Sequence, residues 1–226
     1  GVMWILLQPL LSTMIFTVIF GILLEAPSGQ VPYALFVLAG MIPWNYFSSS
    51  LTRSSGSVVA SSNLITKVYF PRLIIPMAGV LAGLVDFLIV CTALGGMMAF
   101  YGVHPTANIA LLPLFLLLAM LTAFGFGLWL SALNVRYRDV SWLMPFLIQV
   151  WMYMTPVVYS STLLPERFRP YLALNPLTGV VEGFRWALFG ESMGSAAPGG
   201  LMFAISIAIS LVVLLTGLVY FRRTER

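Results

Sequence analysis

The sequence predicts an all-α membrane protein with six transmembrane helices. Hydrophobic residues make up 60% of the 226-residue chain and charged residues only 8%, whereas soluble domains carry roughly 25% charged residues. The apolar residues form six stretches, each near the roughly 20 residues that cross a hydrocarbon core of roughly 30 Å. Almost none of the charges falls inside a stretch. We therefore expect a single transmembrane domain over residues 1–226.

Breaker residues and polar segments separate the stretches in order. Pro27 and Gly29 follow the first stretch, Gly102 and Pro105 follow the third, and Pro43 interrupts the second. The predicted spans cover about residues 3–24, 32–51, 73–101, 109–133, 142–159 and 201–221.

Two polar segments carry the connections of greatest interest. Residues 53–72 contain three cations and no acid, together with serines and a short apolar strip, so they form either a positively charged anchor or a short helix that docks into a protein groove. Residues 161–198 mix acids, arginines and prolines in pieces too short to span. We predict one or two short helices there, at or dipping into the interface, with Glu182 and Arg185 on one face.

The distribution of cations predicts the orientation. With six spans, one side carries eight cations and the other three, and positive charge collects on the cytoplasmic side. Both termini are therefore expected in the cytoplasm. The eight are Arg53, Lys67, Arg72, Arg136, Arg138, Arg222, Arg223 and Arg226, and the three are Arg167, Arg169 and Arg185.

The sequence contains few residues that could carry out catalysis. The one lysine, Lys67, does not stand in a Gly-Lys-Ser/Thr phosphate loop, and the single Cys91 and single His104 form neither a disulfide framework nor a metal cluster. We expect no enzyme activity, no cofactor on this chain and no nucleic-acid partner. Any ATPase must be a separate polypeptide.

Asp86 is an acid deep inside the third span, on the same helix face as Gly79 and Gly83. A carboxylate at the centre of a bilayer is costly and must face protein or water, while a Gly-x-x-x-Gly pair permits close helix packing. Asp86 is expected to be a neutral or hydrogen-bonded acid that joins two helices, or else part of a proton or substrate relay.

Aromatic residues cluster in the second and fifth spans. They form either interfacial belts or a translocation path whose rings stack on sugars. The candidates are Trp44, Tyr46, Phe47, Trp151, Tyr153 and Tyr159.

Six collinear motifs carry a family resemblance over essentially the whole chain. They are Leu7–Leu10, Pro43–Ser48, Asn63–Arg72, Asn134–Val140, Thr155–Ser160 and Asn175–Leu177. On these motifs the chain resembles the membrane permeases of type-two ABC exporters for polysaccharides such as O-antigen, capsule and teichoic acid.

The resemblance implies a homodimer in the bacterial inner membrane that binds two copies of a separate ATPase, which holds ATP and Mg²⁺. It implies that residues 54–68 contain a cytoplasmic coupling helix, that residues 162–190 form extracytoplasmic gate helices, and that the substrate is a polyprenyl-linked glycan. The alternatives are an exporter of drugs or small lipids and an intramembrane glycan-processing enzyme. The coupling residues would be Ser57, Asn63, Leu64, Lys67, Tyr69, Phe70, Arg72, Arg136, Arg138 and Asp139, and the gate residues Glu166, Arg167, Arg169, Asn175, Glu182 and Arg185.

Overall fold

The computed structural model describes residues 2–62, 71–193 and 200–224, and these ranges contain helices and turns but no strand. A π-helical segment, Thr17–Leu23, continues the first helix, and short 3-10 segments join several others. The α-helices with described bounds are α1 Val2–Phe16, α2 Tyr33–Ala60, α3 Ile74–Tyr101, α4 Leu112–Arg136, α5 Val140–Met154, α6 Arg169–Ala173, α7 Pro176–Phe189 and α8 Gly200–Thr224.

Four helical segments are long and apolar enough to cross a membrane. They correspond to the predicted first, third, fourth and sixth spans, which the structure confirms by length and composition. Their bounds are Met3–Leu23, Ile74–Tyr101, Ala107–Arg136 and Gly200–Thr224.

Helix α2 lies at the centre of the bundle and contacts α1, α3, α4, α5 and α7. It spans 28 residues, enough to cross a bilayer, but its second half is rich in serine and contains Arg53. Because neighbouring helices surround much of α2, most of its polar side chains are buried or half-buried, with Thr52 exposed.

The predicted loop at residues 53–72 begins later than expected, because α2 continues through Ala60. Ser55 and Ser57 donate hydrogen bonds to backbone carbonyls three residues earlier, which satisfies their hydroxyls inside the helix. Ser54 and Ser55 are buried, so the segment is too polar for lipid but well suited to a helix packed inside protein.

The fifth predicted span is also corrected. Helix α5 ends at Met154 and contains 15 residues, a rise of roughly 22 Å against the roughly 30 Å of a hydrocarbon core. Residues 155–160 continue without regular helix, beginning at Thr155–Pro156, because a proline lacks the N–H that would extend the helix.

Helix α7 is a core helix, in contrast to the predicted interfacial helix. Most of its residues are buried, and it packs against α2, α4 and α8. Gly179 and Gly183 allow this approach, since a side chain at either would meet Ser206 or Phe115. The Asn175 side chain accepts a hydrogen bond from the Leu177 N–H and caps the helix start.

The connections separate into two ends of the bundle. At one end, Val58 and Leu73 pack against a cluster formed by Leu128, Ala132 and Phe221, which joins the close of α2, α4 and α8 to the start of α3. At the other end, the Thr106 N–H donates to the Leu188 carbonyl at 3.0 Å, and the Gln30 N–H donates to the Ser192 carbonyl at 2.8 Å.

Candidate functional site

The end that carries Arg136, Arg222 and Arg223 is organised around Asn134. The Asn134 amide donates to the Ser55 carbonyl at 3.2 Å, and its oxygen accepts a hydrogen bond from the Ser141 hydroxyl at 2.7 Å. One buried side chain therefore ties the second half of α2 to the end of α4 and the start of α5, so that these three segments are mechanically linked.

The predicted coupling residues divide among four places. Asn63, Leu64, Lys67, Tyr69 and Phe70 lie outside the described residues. Ser57 belongs to α2, and Arg72 lies in the turn before α3.

The other three predicted coupling residues lie at the junction of α4 and α5. Arg136 is the last residue of α4 and not part of a loop, and its guanidinium lies 5.5 Å from the centre of the Tyr137 ring. Arg138 and Asp139 form the exposed turn into α5. This end of the bundle therefore presents a compact turn beside the Asn134 link.

Arg53 and Asp86 form an ion pair between α2 and α3. Two guanidinium nitrogens of Arg53 each lie 3.1 Å from Oδ2 of Asp86, and one of them also donates to the Ser49 hydroxyl at 3.0 Å. The two helices approach closely at Gly79 and Gly83, where an added Cβ would lie 3.1 Å from the Ser54 nitrogen and 2.7 Å from the Ser50 hydroxyl. Asp86 is thus paired with the Arg53 cation where α2 contacts α3.

Removing either charge of this pair should destabilise the protein more than removing both. Arg53→Gln or Asp86→Asn alone is expected to lower the free energy of unfolding by about 1 to 3 kcal/mol, because the remaining charge loses its partner. The double variant should lose less than the sum of the singles. Unfolding curves of the four purified proteins in one detergent measure this coupling, and additive losses would contradict it.

The aromatic residues predicted to line a path separate into two groups, and three of them are buried inside this chain. Trp44, Tyr46 and Phe47 are only 3%, 2% and 0% exposed. Phe47 packs edge-to-face on Trp151 with ring centres 5.0 Å apart, and Tyr46 donates its hydroxyl hydrogen to the Val80 carbonyl. These rings belong to the chain's own core because most of α2 is enclosed.

Trp151 joins the end of α5 to the start of α7. Its indole N–H donates to the Asn175 side-chain oxygen at 3.0 Å, and the Asn175 amide donates to the Thr155 hydroxyl at 2.8 Å. Thr155 in turn donates to the Trp151 carbonyl at 2.9 Å. Two predicted functional motifs, Thr155–Ser160 and Asn175–Leu177, therefore meet in one hydrogen-bonded junction.

An apolar groove of about 610 Å³ opens beside this junction. Ile148 and Trp151 of α5 form one wall, Phe126 and Leu130 of α4 form another, and Asn175 lies at its polar end. Tyr153 is 55% exposed on α5, and the Tyr159 hydroxyl donates to its carbonyl at 3.2 Å. Trp151, Tyr153 and Tyr159 are therefore the predicted path residues that retain accessible surface.

Arg185 is fully enclosed, which contradicts its predicted place on a helix at the interface. Its guanidinium is 1% exposed and lies 3.7 Å above the Phe36 ring centre. It donates to the carbonyls of Phe36 at 3.0 Å and Pro156 at 2.7 Å, and also to that of Val157. Burial lowers the pKa of Arg185 to about 9, so the group remains charged at neutral pH.

The other gate residues surround the 161–169 segment. Burial raises the pKa of the Glu182 carboxyl, and hydrogen bonds from the Ser161 hydroxyl and N–H partly offset that effect. Arg167 stacks on Phe168 at 4.7 Å, and Arg169 donates to the Leu164 carbonyl at 3.3 Å. The Glu166 side chain lies outside the described residues.

Sequence reasoning missed Arg53 as the partner of Asp86 and Asn134 as a link between helices. Asp86 was the signal that could have predicted the role of Arg53, since a carboxylate inside a span needs a cationic or polar partner. The signal for Asn134 was its place at the end of an apolar helix, where a buried carboxamide must find donors and acceptors.

These helices, packed around a polar central helix, define a multi-pass membrane protein. Residues 1–189 match the ABC-2 type transporter family, so the chain belongs to that family. It is 31% identical over 187 residues to the O-antigen export system permease protein RfbA of Klebsiella pneumoniae, with 82% of this chain and 71% of that protein aligned. It is 27% identical to RfbA of Myxococcus xanthus over 92% of this chain and 80% of that one. It is 25% identical to the polysialic acid transport protein KpsM of Escherichia coli, with 100% of this chain and 86% of that protein aligned.

Proposed function

We propose that this chain is the transmembrane permease subunit of an ATP-driven exporter that moves a polyprenyl-linked polysaccharide across the bacterial inner membrane. The observation that carries the proposal is the alignment of most of the chain with permeases named for O-antigen export and polysialic acid transport. Two copies of the chain pair with two copies of a separate ATPase, which holds ATP and Mg²⁺.

In the proposed orientation, the Asn134 end of the bundle and both termini face the cytoplasm. Six described cations at that end support this orientation, against three at the other, because positive charge is retained on the cytoplasmic side. The turn with Arg138 and Asp139, together with the segment after α2, contacts the ATPase. The Asn134 link carries the resulting movement into α2, α4 and α5.

Helices α2 and α5 serve as the second and fifth spans in this proposal. The short α5 crosses part of the bilayer, and residues 155–160 with α7 complete the extracytoplasmic side as the gate. The groove beside Trp151 forms one wall of the path in each copy, with aromatic faces at its polar end.

Deleting the gene in the source bacterium tests the function. The expected result is loss of the glycan from the cell surface and accumulation of its polyprenyl-linked form on the cytoplasmic side of the inner membrane. Re-expression of the chain should restore surface glycan. Unchanged surface glycan in the deletion strain would contradict the proposal.

The exposed α5 face makes a separate prediction about the path. Tyr153→Ala should lower export while membrane yield stays normal, because an exposed ring contributes little to folding but can stack on a passing sugar. Tyr153→Phe should retain most export, since the ring face remains. Phe100→Ala, at an even more exposed aromatic on α3, should leave export unchanged. Export divided by membrane yield is the measurement, and equal effects at both positions would exclude Tyr153 from the path.

A further inference from the structure

A second cavity of about 290 Å³, lined by both polar and apolar side chains, lies between α1, α2 and α3, away from the apolar groove. Gln8 of α1, Asn45 and Ser48 of α2, and Asp86 of α3 line it, and Trp4 stands beside them with 62% of its surface exposed. A cavity with these groups is unusual among helices that otherwise present apolar side chains to lipid.

Four of these lining groups have hydrogen-bonding capacity that the chain does not use. Within the described residues, neither the Gln8 nor the Asn45 carboxamide forms a hydrogen bond, and both bonds from Arg53 reach the same oxygen of Asp86. The Ser48 hydroxyl donates to the Asn45 carbonyl at 3.2 Å and keeps its lone pairs. Amides and carboxylate oxygens at membrane depth require hydrogen-bond partners, so the cavity suits a ligand that both donates and accepts hydrogen bonds.

The charges favour a neutral ligand. Asp86 is the charged residue lining the cavity, and its carboxylate is already paired with Arg53. A phosphate or another anion would meet that carboxylate, whereas a cation would compete with a guanidinium already in place. Vicinal hydroxyl groups, which both donate and accept, match two carboxamides and one carboxylate oxygen.

We propose that this cavity binds one sugar ring of the exported glycan. The volume lies at the lower limit of the roughly 300 to 1,000 Å³ typical of ligand sites, which suits a single pyranose. Trp4 offers an aromatic face for the C–H side of the ring. The inference rests on the proposed function for the identity of the ligand, and in that orientation the cavity lies in the cytoplasmic half of the membrane, where the glycan enters.

Protection of a cysteine in the cavity tests the site. Ile5 also lines it, so Ile5→Cys is introduced with Cys91→Ala, and the permease–ATPase complex is placed in lipid nanodiscs. The rate of N-ethylmaleimide labelling is measured with methyl glycosides of glucose, galactose, mannose, N-acetylglucosamine and rhamnose. At least one glycoside should slow labelling in a saturable manner.

Variants assign the protection to particular side chains. Asn45→Leu, Gln8→Leu and the milder Ser48→Ala should each raise the half-protecting concentration about fivefold, the effect of one hydrogen bond. Gln149→Leu removes an exposed carboxamide from α5 and should leave protection unchanged. The proposed site is wrong if no glycoside slows labelling, or if glycerol phosphate or phosphocholine slows it instead. It is also wrong if a glycoside slows labelling of the cavity variants as well as it does for the parent.

Export by the same parent complex separates the two proposals. Normal glycan export without glycoside protection removes the sugar site and leaves the proposed function intact. Protection in a complex that exports no glycan supports the site and contradicts the function.

Discussion

Replacing Arg185 with methionine should lower the free energy of unfolding by several kcal/mol, because each buried carbonyl left without a donor costs about 1 to 3 kcal/mol. The guanidinium donates to the carbonyls of Phe36, Pro156 and Val157, which belong to α2 and to the linker after α5. Methionine fills part of the volume but donates no hydrogen bond, so the Pro156 and Val157 carbonyls become unsatisfied inside the bundle. Thermal unfolding of the purified permease in detergent measures the loss.

Two further arginine variants test whether the buried hydrogen bonds of Arg185 account for this loss. Arg185→Lys keeps the charge but replaces a planar fork of donors with one ammonium, so its loss should fall between that of methionine and the parent. Arg167→Met removes an exposed arginine that stacks on Phe168 and should change stability by less than about 1 kcal/mol. Equal stability of Arg185→Met and Arg167→Met would show that the buried hydrogen bonds contribute little.

Replacing Gly217 with valine should separate α4 from α8 and strongly reduce the yield of folded protein. A Cβ at Gly217 would lie 2.5 Å from the Gly125 carbonyl oxygen, and a Cβ at Gly125 would lie 2.8 Å from the Leu214 nitrogen. Because these contacts involve backbone atoms, no side chain can rotate away, and the helices must move apart. We expect a loss of about 3 kcal/mol or more, as for a severe overpacking substitution.

Gly96→Val provides the matched control for Gly217→Val. Gly96 is also helical, but an added Cβ there meets nothing within 4 Å. Membrane yield and monodispersity after detergent extraction are compared between the two variants. Normal yield for Gly217→Val, or an equal defect for Gly96→Val, would contradict close α4–α8 packing as the cause.

The sequence predicted the helical class and four spans because lipid contact imposes a composition that can be counted. The same counting ended the second helix too early, since the serine-rich second half of α2 packs against protein and not against lipid. Arg53 appeared to be a loop cation for this reason. Its pairing with Asp86 depends on the approach of α2 to α3, which no local pattern encodes.

The gate region was predictable in position but not in chemistry. Prolines and balanced charges correctly predicted short helices after residue 160, but the spacing of Glu182 and Arg185 predicted only a shared helix face at the interface. In the structure, Arg185 instead donates to backbone carbonyls. Pro156 breaks the helix, so carbonyls beside it lack helical partners and accept hydrogen bonds in the core. Asn175 was assigned to the gate, yet its contact with Trp151 arises only when α5 and α7 meet.

The early end of α5 constrains how this part of the molecule can move. The carbonyls of Pro156 and Val157 have no helical partner and depend on Arg185 of α7, and Asn175 holds the same linker through Thr155. Separating the linker from α7 would place bare carbonyls and a guanidinium in a medium without water. We therefore expect residues 155–160 to move together with α7 and with the part of α2 at Phe36 that the same guanidinium contacts.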